Sequence, residues 1–241
     1  MPFINIDDLH SGAYELGIEL SDGQLDQFDR FAAFLVETNK QFNLTRITDP
    51  QEIVTSHFLD SLTCLAALKP KKNARVIDVG SGAGFPGIPI KTARPDLHVS
   101  LLDSTFKKVK FISQAVDLLE FSDVYPVHGR AEDICKDKDF REKFDIAYAR
   151  ALSELAILAE LCLPLVKVGG YVVAQKSEII DEELNHARPI IGQLGGRVQR
   201  VEKIKIPQTQ ITRHLVIISK VRPTPESFPR SYSRIAKSKS A

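Results

Sequence analysis

The chain has 241 residues, of which 43% are hydrophobic and 26% charged, with a net charge of +1. That composition belongs to an ordinary globular domain. No run of about 18 apolar residues is present to span a bilayer, and the start lacks the charged-then-apolar pattern of a secretion leader. Cys64, Cys135 and Cys162 are widely spaced and form no C-x-x-C pair. They are expected to be free, buried thiols in a reducing cytoplasm, with no disulfide framework and no metal site. Charge is unevenly spread: residues 1–60 carry eleven acids and three bases, a net of −8, so residues 61–241 total +9. Residues 221–241 supply +4 of that, from five bases and one acid. Such asymmetry is compatible with one face meeting a polyanion while the N-terminal part stays away from it.

In chain order, residues 1–70 read as helical. Ser21 with Gln24 forms a capping box, and Leu25, Phe28, Phe31, Ala32 and Leu35 follow at helical spacing. Asp49-Pro50-Gln51-Glu52 is a second helix start, with an Asp cap and Pro in the first turn. Ile53, His57 and Ser61 then share one face, with Asp60 one turn from His57. From Arg75 the pattern becomes strand–helix alternation, which implies βαβ units and a parallel sheet. Strands are expected at 75–79, 98–102, 123–127, 144–148, 169–175, about 197–206 and 213–219, and helices at 105–120, 152–165 and 178–194. The last two strands leave no room for a helix between them and should pair antiparallel. Residues 221–241, rich in Pro, Ser and bases, read as a tail or an arm that orders on binding.

The most informative stretch is residues 76–90. Val76-Ile77-Asp78-Val79 reads as a buried strand that runs into Gly80, Gly82, Gly84 and Gly87. Glycines there let the backbone approach a ligand, and the carboxyl edge of a strand is where α/β sheets bind ligands. Gly82, Gly84 and Gly87 satisfy the dinucleotide fingerprint, whereas Gly80, Gly82 and Gly84 satisfy G-x-G-x-G behind Asp78. Pro86 and Pro89 favour a short, late-starting helix over a phosphate-capping one. Asp78 would place a carboxylate beside the ligand, which suits a cation better than a pyrophosphate.

Asp78-Val79-Gly80-Ser81-Gly82-Ala83-Gly84 resembles motif I of class I S-adenosylmethionine-dependent methyltransferases. The longer string through Phe85-Pro86-Gly87-Ile88-Pro89 resembles the glucose-inhibited division protein B family, the small-subunit ribosomal RNA methyltransferases G. The resemblance covers residues 1 to about 220. It implies a Rossmann-like α/β fold with a seven-stranded, mostly parallel sheet and an antiparallel last strand. An N-terminal helical region (1–70) would pack on the cofactor-binding core (71–220), with a basic tail at 221–241. It also implies S-adenosyl-L-methionine as cofactor, 16S rRNA of the small ribosomal subunit as partner, and N7 of a guanine as methyl acceptor. A cytoplasmic monomer without membrane contact is expected.

Several residues are candidates for the site. Gly80, Gly82 and Phe85 belong to the glycine turn that would hold the cofactor. Asp103 closes the second strand and can accept both ribose hydroxyls, although Asp is also common in turns. In the family, the pair equivalent to Ala131-Glu132 contacts the adenine end; a Glu at a helix start has the macrodipole as its alternative explanation. Arg150, after the fourth strand, could hold the methionine carboxylate or a nucleotide phosphate, or form a structural ion pair. Lys176 and Arg213-His214 match family positions, with Ser177 departing from the usual glycine, and Arg230 and Arg234 alternate with Phe228 and Tyr232 as RNA-binding groups do. Further basic groups for RNA are Lys69, Lys71, Lys72, Arg75, Lys107, Lys108 and Lys110. His57, Asp60 and Ser61, together with Asn43-Leu44-Thr45, are expected to tie the helices to the glycine turn. No general base is expected, because guanine N7 carries a lone pair and its methylation releases no proton. The residues alone leave open a methyltransferase for a protein or small molecule, and a non-catalytic nucleotide-binding partner of ribosomes or membranes.

Overall fold

A computed structural model describes residues 1–177 and 181–237. Four helical segments come first: α1 (Ile6–Glu15), α2 (Asp22–Asn39), α3 (Pro50–Ile53) and, after a π-helical turn at Val54–Leu59, α4 (Asp60–Ala67). The sheet strands are β1 (Arg75–Val79), β2 (His98–Asp103), β3 (Val124–His128), β4 (Phe144–Arg150), β5 (Val166–Lys176), β6 (Gly196–Lys205) and β7 (Thr212–Lys220). Between and after them lie α5 (Gly87–Ala93), α6 (Phe106–Leu118), α7 (Ala131–Ile134), α8 (Leu155–Cys162), α9 (Asp181–Gln193) and α10 (Tyr232–Lys237). No helix among the described residues is long and apolar enough to cross a membrane.

The strands lie in the order β3-β2-β1-β4-β5-β7-β6, and β7 runs antiparallel to both of its neighbours. The expected antiparallel pair is therefore present, with the last strand inserted beside β5. Strand order reverses between β1 and β4, which makes their carboxyl ends the topological switch point where ligands bind.

Strand side chains alternate between two cores, as period-two geometry requires. Ile146 and Tyr148 of β4 join the core under α1–α6, while Ala147 and Ala149 join the core under α8 and α9. The Ser21–Gln24 capping box is formed, and Asp49 caps α3 with Pro50 in its first turn. Phe28 and Phe31 of α2 are buried against Phe58 of the π turn, and α2 also packs on α5 and α6. Burial of each such ring contributes on the order of 1.5–3 kcal/mol. Residues 1–70 thus share one continuous core with the sheet.

Two expectations need correction, at the helix from 152 and in the tail. The helix expected from 152 begins only at Leu155, after Ala151 adopts a left-handed backbone (φ 52°), and it ends in a 3-10 turn at Leu163–Leu165 around Pro164. For the helix expected at 178–194, residues 181–193 are helical and 178–180 lie outside the described residues. The tail is docked through residue 237, with 238–241 outside the described residues. The Arg141 guanidinium donates to the carbonyls of Thr224, Pro225 and Phe228. Arg230, expected to meet RNA, instead donates through its backbone N (2.8 Å), Nε (2.9 Å) and Nη2 (2.6 Å) to Glu160 of α8. Glu160 is fully buried, and a buried carboxylate is tolerated only when paired in this way. Arg230→Ala should therefore destabilise the fold by about 3–5 kcal/mol, read from urea unfolding midpoints. A loss below about 1 kcal/mol would show the pair to be dispensable.

Candidate active site

The glycine turn bonds to itself. Gly80 and Ser81 donate their N–H groups to the Leu102 carbonyl (2.8 and 2.9 Å), and Gly84 and Phe85 donate to the Ser81 carbonyl (2.8 and 2.9 Å). Gly82 N–H donates to Asp103 Oδ2 (2.9 Å). The start of α5 is equally occupied: Gly87 N–H donates to Asp78 Oδ2 (2.9 Å), Ile88 to Gly84, and Ile90 to Pro86, while Pro89 has no N–H. A pyrophosphate needs free donors at a helix N-terminus, so this turn is not a phosphate cradle. The short helix expected after Pro86 begins at Gly87. Gly87 is required there, since a Cβ would come within 2.2 Å of Leu101 and 2.9 Å of Asp78.

Asp78 corrects its expected place beside a ligand. It is buried beneath the turn, its Oδ1 has no partner among the described residues, and burial pushes its carboxyl up to about 7 despite the Gly87 and Ser81 hydrogen bonds. Its role is to hold α5 on β1.

Two cavities open at the switch point. One, of about 320 Å³, lies over the ends of β1, β2 and β4, within the size range of small-molecule sites. It is lined by Gly80, Asp103, Thr105, Lys108, Ala131, Glu132, Arg150, Ala151, Leu152 and Leu161, among others. Gly80 (φ 77°) forms its floor, where a Cβ would meet Leu152 at 2.6 Å. The Asp103 carboxylate is held by the N–H groups of Gly82 and Thr105 (2.8 Å), which leaves each oxygen a further lone pair.

The second cavity, of about 460 Å³, shares Arg150 and Ala151 with the first and is otherwise polar: Ser56, His57, Asp60, Ser153, Gln175, Lys176, Ser177 and Arg213, with Ile47. Asp60, 2% exposed, anchors it. Its Oδ1 accepts from Arg213 Nε (2.8 Å) and Gln175 Nε2 (2.6 Å), and its Oδ2 accepts from Arg150 Nη1 (3.1 Å) and Arg213 Nη2 (3.3 Å). Arg150 also lies over the Phe85 ring, 5.0 Å from its centroid, and donates to the Ser56 carbonyl and His57 Nδ1. Burial, then the Arg150 charge, lowers His57 to about 3. Neutral His57 therefore accepts from Arg150 at Nδ1, leaving Nε2–H to donate to Thr45 Oγ1 (2.9 Å). Its ring stacks on Phe85 at 4.3 Å.

The structure thus brings Gly80, Asp103, Ala131, Glu132 and Arg150 to one cavity, and Arg150, Lys176 and Arg213 to the other. Gly82 and Phe85 stand outside both walls: Gly82 bonds Asp103, and Phe85 is buried between Phe31, His57 and Arg150. Lys176 is engaged by Glu183 (2.8 Å) and the Ser153 carbonyl. His214 pairs with Lys176 across the strands and turns toward the Ser177 carbonyl, outside the cavity lining. Arg234 is exposed on α10. Lys69, Lys71, Lys72 and Arg75 lie around the amino end of β1, at the opposite sheet edge from the cavities. Lys108, expected among the basic groups for RNA, instead lines the cavity over β1 and β2; Gln175 and Leu152 were not anticipated, and a polar residue at the carboxyl end of a buried strand is the signal that points to Gln175.

Strand order, the antiparallel β7 and a ligand cavity at the switch point define a class I S-adenosylmethionine-dependent methyltransferase fold. A SAM-dependent methyltransferase from Aquifex aeolicus superimposes with a TM-score of 0.53 at 20% identity, covering 76% of this chain and 97% of that one. The sequence model of the rRNA small subunit methyltransferase G family matches residues 24–216. The ribosomal RNA small subunit methyltransferase G of Alkaliphilus oremlandii is 42% identical over 231 residues, 96% of this chain and 97% of the relative. That of Lachnoclostridium phytofermentans is 44% identical over 220 residues, 91% of each. The chain belongs to the rRNA small subunit methyltransferase G family.

The Asp78 environment makes a pH prediction. Between about pH 4 and 7 the folded chain keeps this proton while the unfolded chain releases it, so the group's contribution to stability is full below about pH 4 and is lost as pH rises through 7. Asp78→Asn cannot ionise and should gain stability relative to the wild type across that window, as measured by chemical denaturation at each pH. A difference that stays constant with pH would contradict the assignment.

Proposed function

We propose that the protein transfers the methyl group of S-adenosylmethionine to N7 of a guanine in 16S ribosomal RNA. The observation that carries this reading is the pair of cavities meeting at Arg150 and Ala151, one suited to a nucleoside and one lined by cations. The residues fit the cofactor: Asp103 offers acceptors for ribose hydroxyls, Ala131 and Glu132 line the same cavity where they would meet the base end, and the occupied N–H groups of the turn disfavour a phosphate-bearing alternative. When bound, the cofactor supplies an electrophilic methyl on a sulfonium.

The chain's own residues then have to place and exclude. Arg150 and Arg213, fixed by Asp60, would meet the target nucleotide's phosphate or base edge, and such geometry favours Arg over Lys. Guanine N7 becomes cationic on methylation and loses no proton, so a base is unnecessary, which agrees with the buried, hydrogen-bonded His57. In-line placement alone can contribute about 7–11 kcal/mol. The target base must be unstacked or lie in a single-stranded loop to enter.

Labelled S-adenosylmethionine, incubated with small ribosomal subunits and with naked 16S RNA, tests this reading. The expected result is label on guanine N7 at a single position, located by mass mapping of RNA fragments. Label on neither RNA but on a protein or small molecule would overturn the substrate. Calorimetry showing no binding of S-adenosylmethionine or S-adenosylhomocysteine would overturn catalysis in favour of a binding role.

A further inference from the structure

After β7 the chain crosses to α8, where the Arg230–Glu160 pair pins it. Beyond that pin, α10 lies along α8. Its Ile235 is fully buried against Ile157 and Leu161, and Ala131 and Leu152 pack on the same cluster. Three of those neighbours, Ala131, Leu152 and Leu161, also line the cavity over β1 and β2. Leu152 is the closest link: it follows Ala151, whose backbone is left-handed, and it sits directly against Gly80. Ile235 therefore backs the side chains that face the cavity, from the side away from it.

We propose that α10 is the outer wall of the cofactor cavity, with Ile235 a positioning residue that holds Leu152, Ala131 and Leu161 in line for the nucleoside. This rests on the reading that the cavity takes S-adenosylmethionine. The physical reason is packing: removing an apolar side chain behind a cavity wall leaves a void that the wall relaxes into. Coupling runs both ways, so a ligand that favours the ordered wall also favours the docked helix. Because the pin at Arg230 lies upstream, α10 can leave α8 without releasing the rest of the segment.

Four proteins test the proposal: the intact chain, Ile235→Ala, Ile235→Leu and a chain ending at Ser231, which keeps the Arg230–Glu160 pair. Calorimetry with S-adenosylhomocysteine should show the dissociation constant rising about tenfold or more in Ile235→Ala and in the shortened chain. Ile235→Leu should restore most of the affinity. In turnover assays the KM for S-adenosylmethionine should rise while kcat at saturating cofactor holds. S-adenosylhomocysteine should also slow tryptic cleavage after the exposed Arg234 of the intact chain. If the intact chain binds the ligand and the shortened chain binds it equally well, the wall assignment is wrong, and the cavity reading stands. A loss confined to RNA affinity would make α10 an RNA arm instead. Failure of the intact chain to bind the ligand would overturn the cavity reading and the wall with it.

Discussion

The buried Asp60 carboxylate is the contact on which the rest of the site depends. It begins α4 at the end of the π turn, and it accepts hydrogen bonds from β4 through Arg150, from β5 through Gln175 and from β7 through Arg213. A carboxylate taken out of water at that depth is tolerable only with such partners, and breaking one leaves an uncompensated charge. The N-terminal helices are therefore tied to the carboxyl edge of the sheet by charge as well as by their apolar face. Two guanidinium groups on one carboxylate also leave the cavity with a positive excess. That excess suits a polyanionic substrate, although the residues 1–60 that supply Asp60 are net acidic.

The glycine turn is built into the same assembly. Phe85 leaves the turn toward the helices, where the His57 ring stacks on it and the Arg150 guanidinium lies over it. Asp78 beneath and Asp103 beside the turn fix its course through backbone N–H groups. Six donors at residues 80, 81, 82, 84, 85 and 87 are thereby occupied within the protein. The turn shapes the cavity floor through the missing Cβ of Gly80 and donates little to a ligand. The two cavities are then two sides of one partition, Arg150-Ala151, with Arg150 held from the helical side by Asp60, His57 and Phe85.

Much of the fold was legible because its signals are local. Short β-branched runs mark the strands, the Ser21 and Asp49 caps mark helix starts, and the late helix after Pro86 follows from proline chemistry. Asp103 and Arg150 could be placed at the cavity because strand ends at a switch point face it. What was not legible depends on distant partners. Arg230 looks like a solvated base until Glu160, 70 residues earlier, is found buried opposite it. Phe85 could equally have faced the ligand, since a glycine turn does not announce which way its neighbour points. Asp78 was misplaced for a related reason: an acid at the end of a buried strand reads the same whether it faces a ligand or the backbone of the next helix. Lys69, Lys71 and Lys72, read as basic groups for RNA from charge alone, lie around the amino end of β1, at the other edge of the sheet from the cavities.

Asp60 lies outside the lining of the cavity over β1 and β2, yet it orients Arg150 and Arg213, the arginines proposed to receive the substrate. Steady-state kinetics and cofactor calorimetry on Asp60→Asn test that role most directly. The variant should fold and, because Arg150 is still held by the Ser56 carbonyl, His57 and the Phe85 ring, keep S-adenosylmethionine affinity within about twofold of wild type. Methyl transfer to its RNA should fall at least about tenfold, the scale of one lost charge-assisted hydrogen bond. Transfer at the wild-type rate, or a loss confined to cofactor affinity, would contradict it.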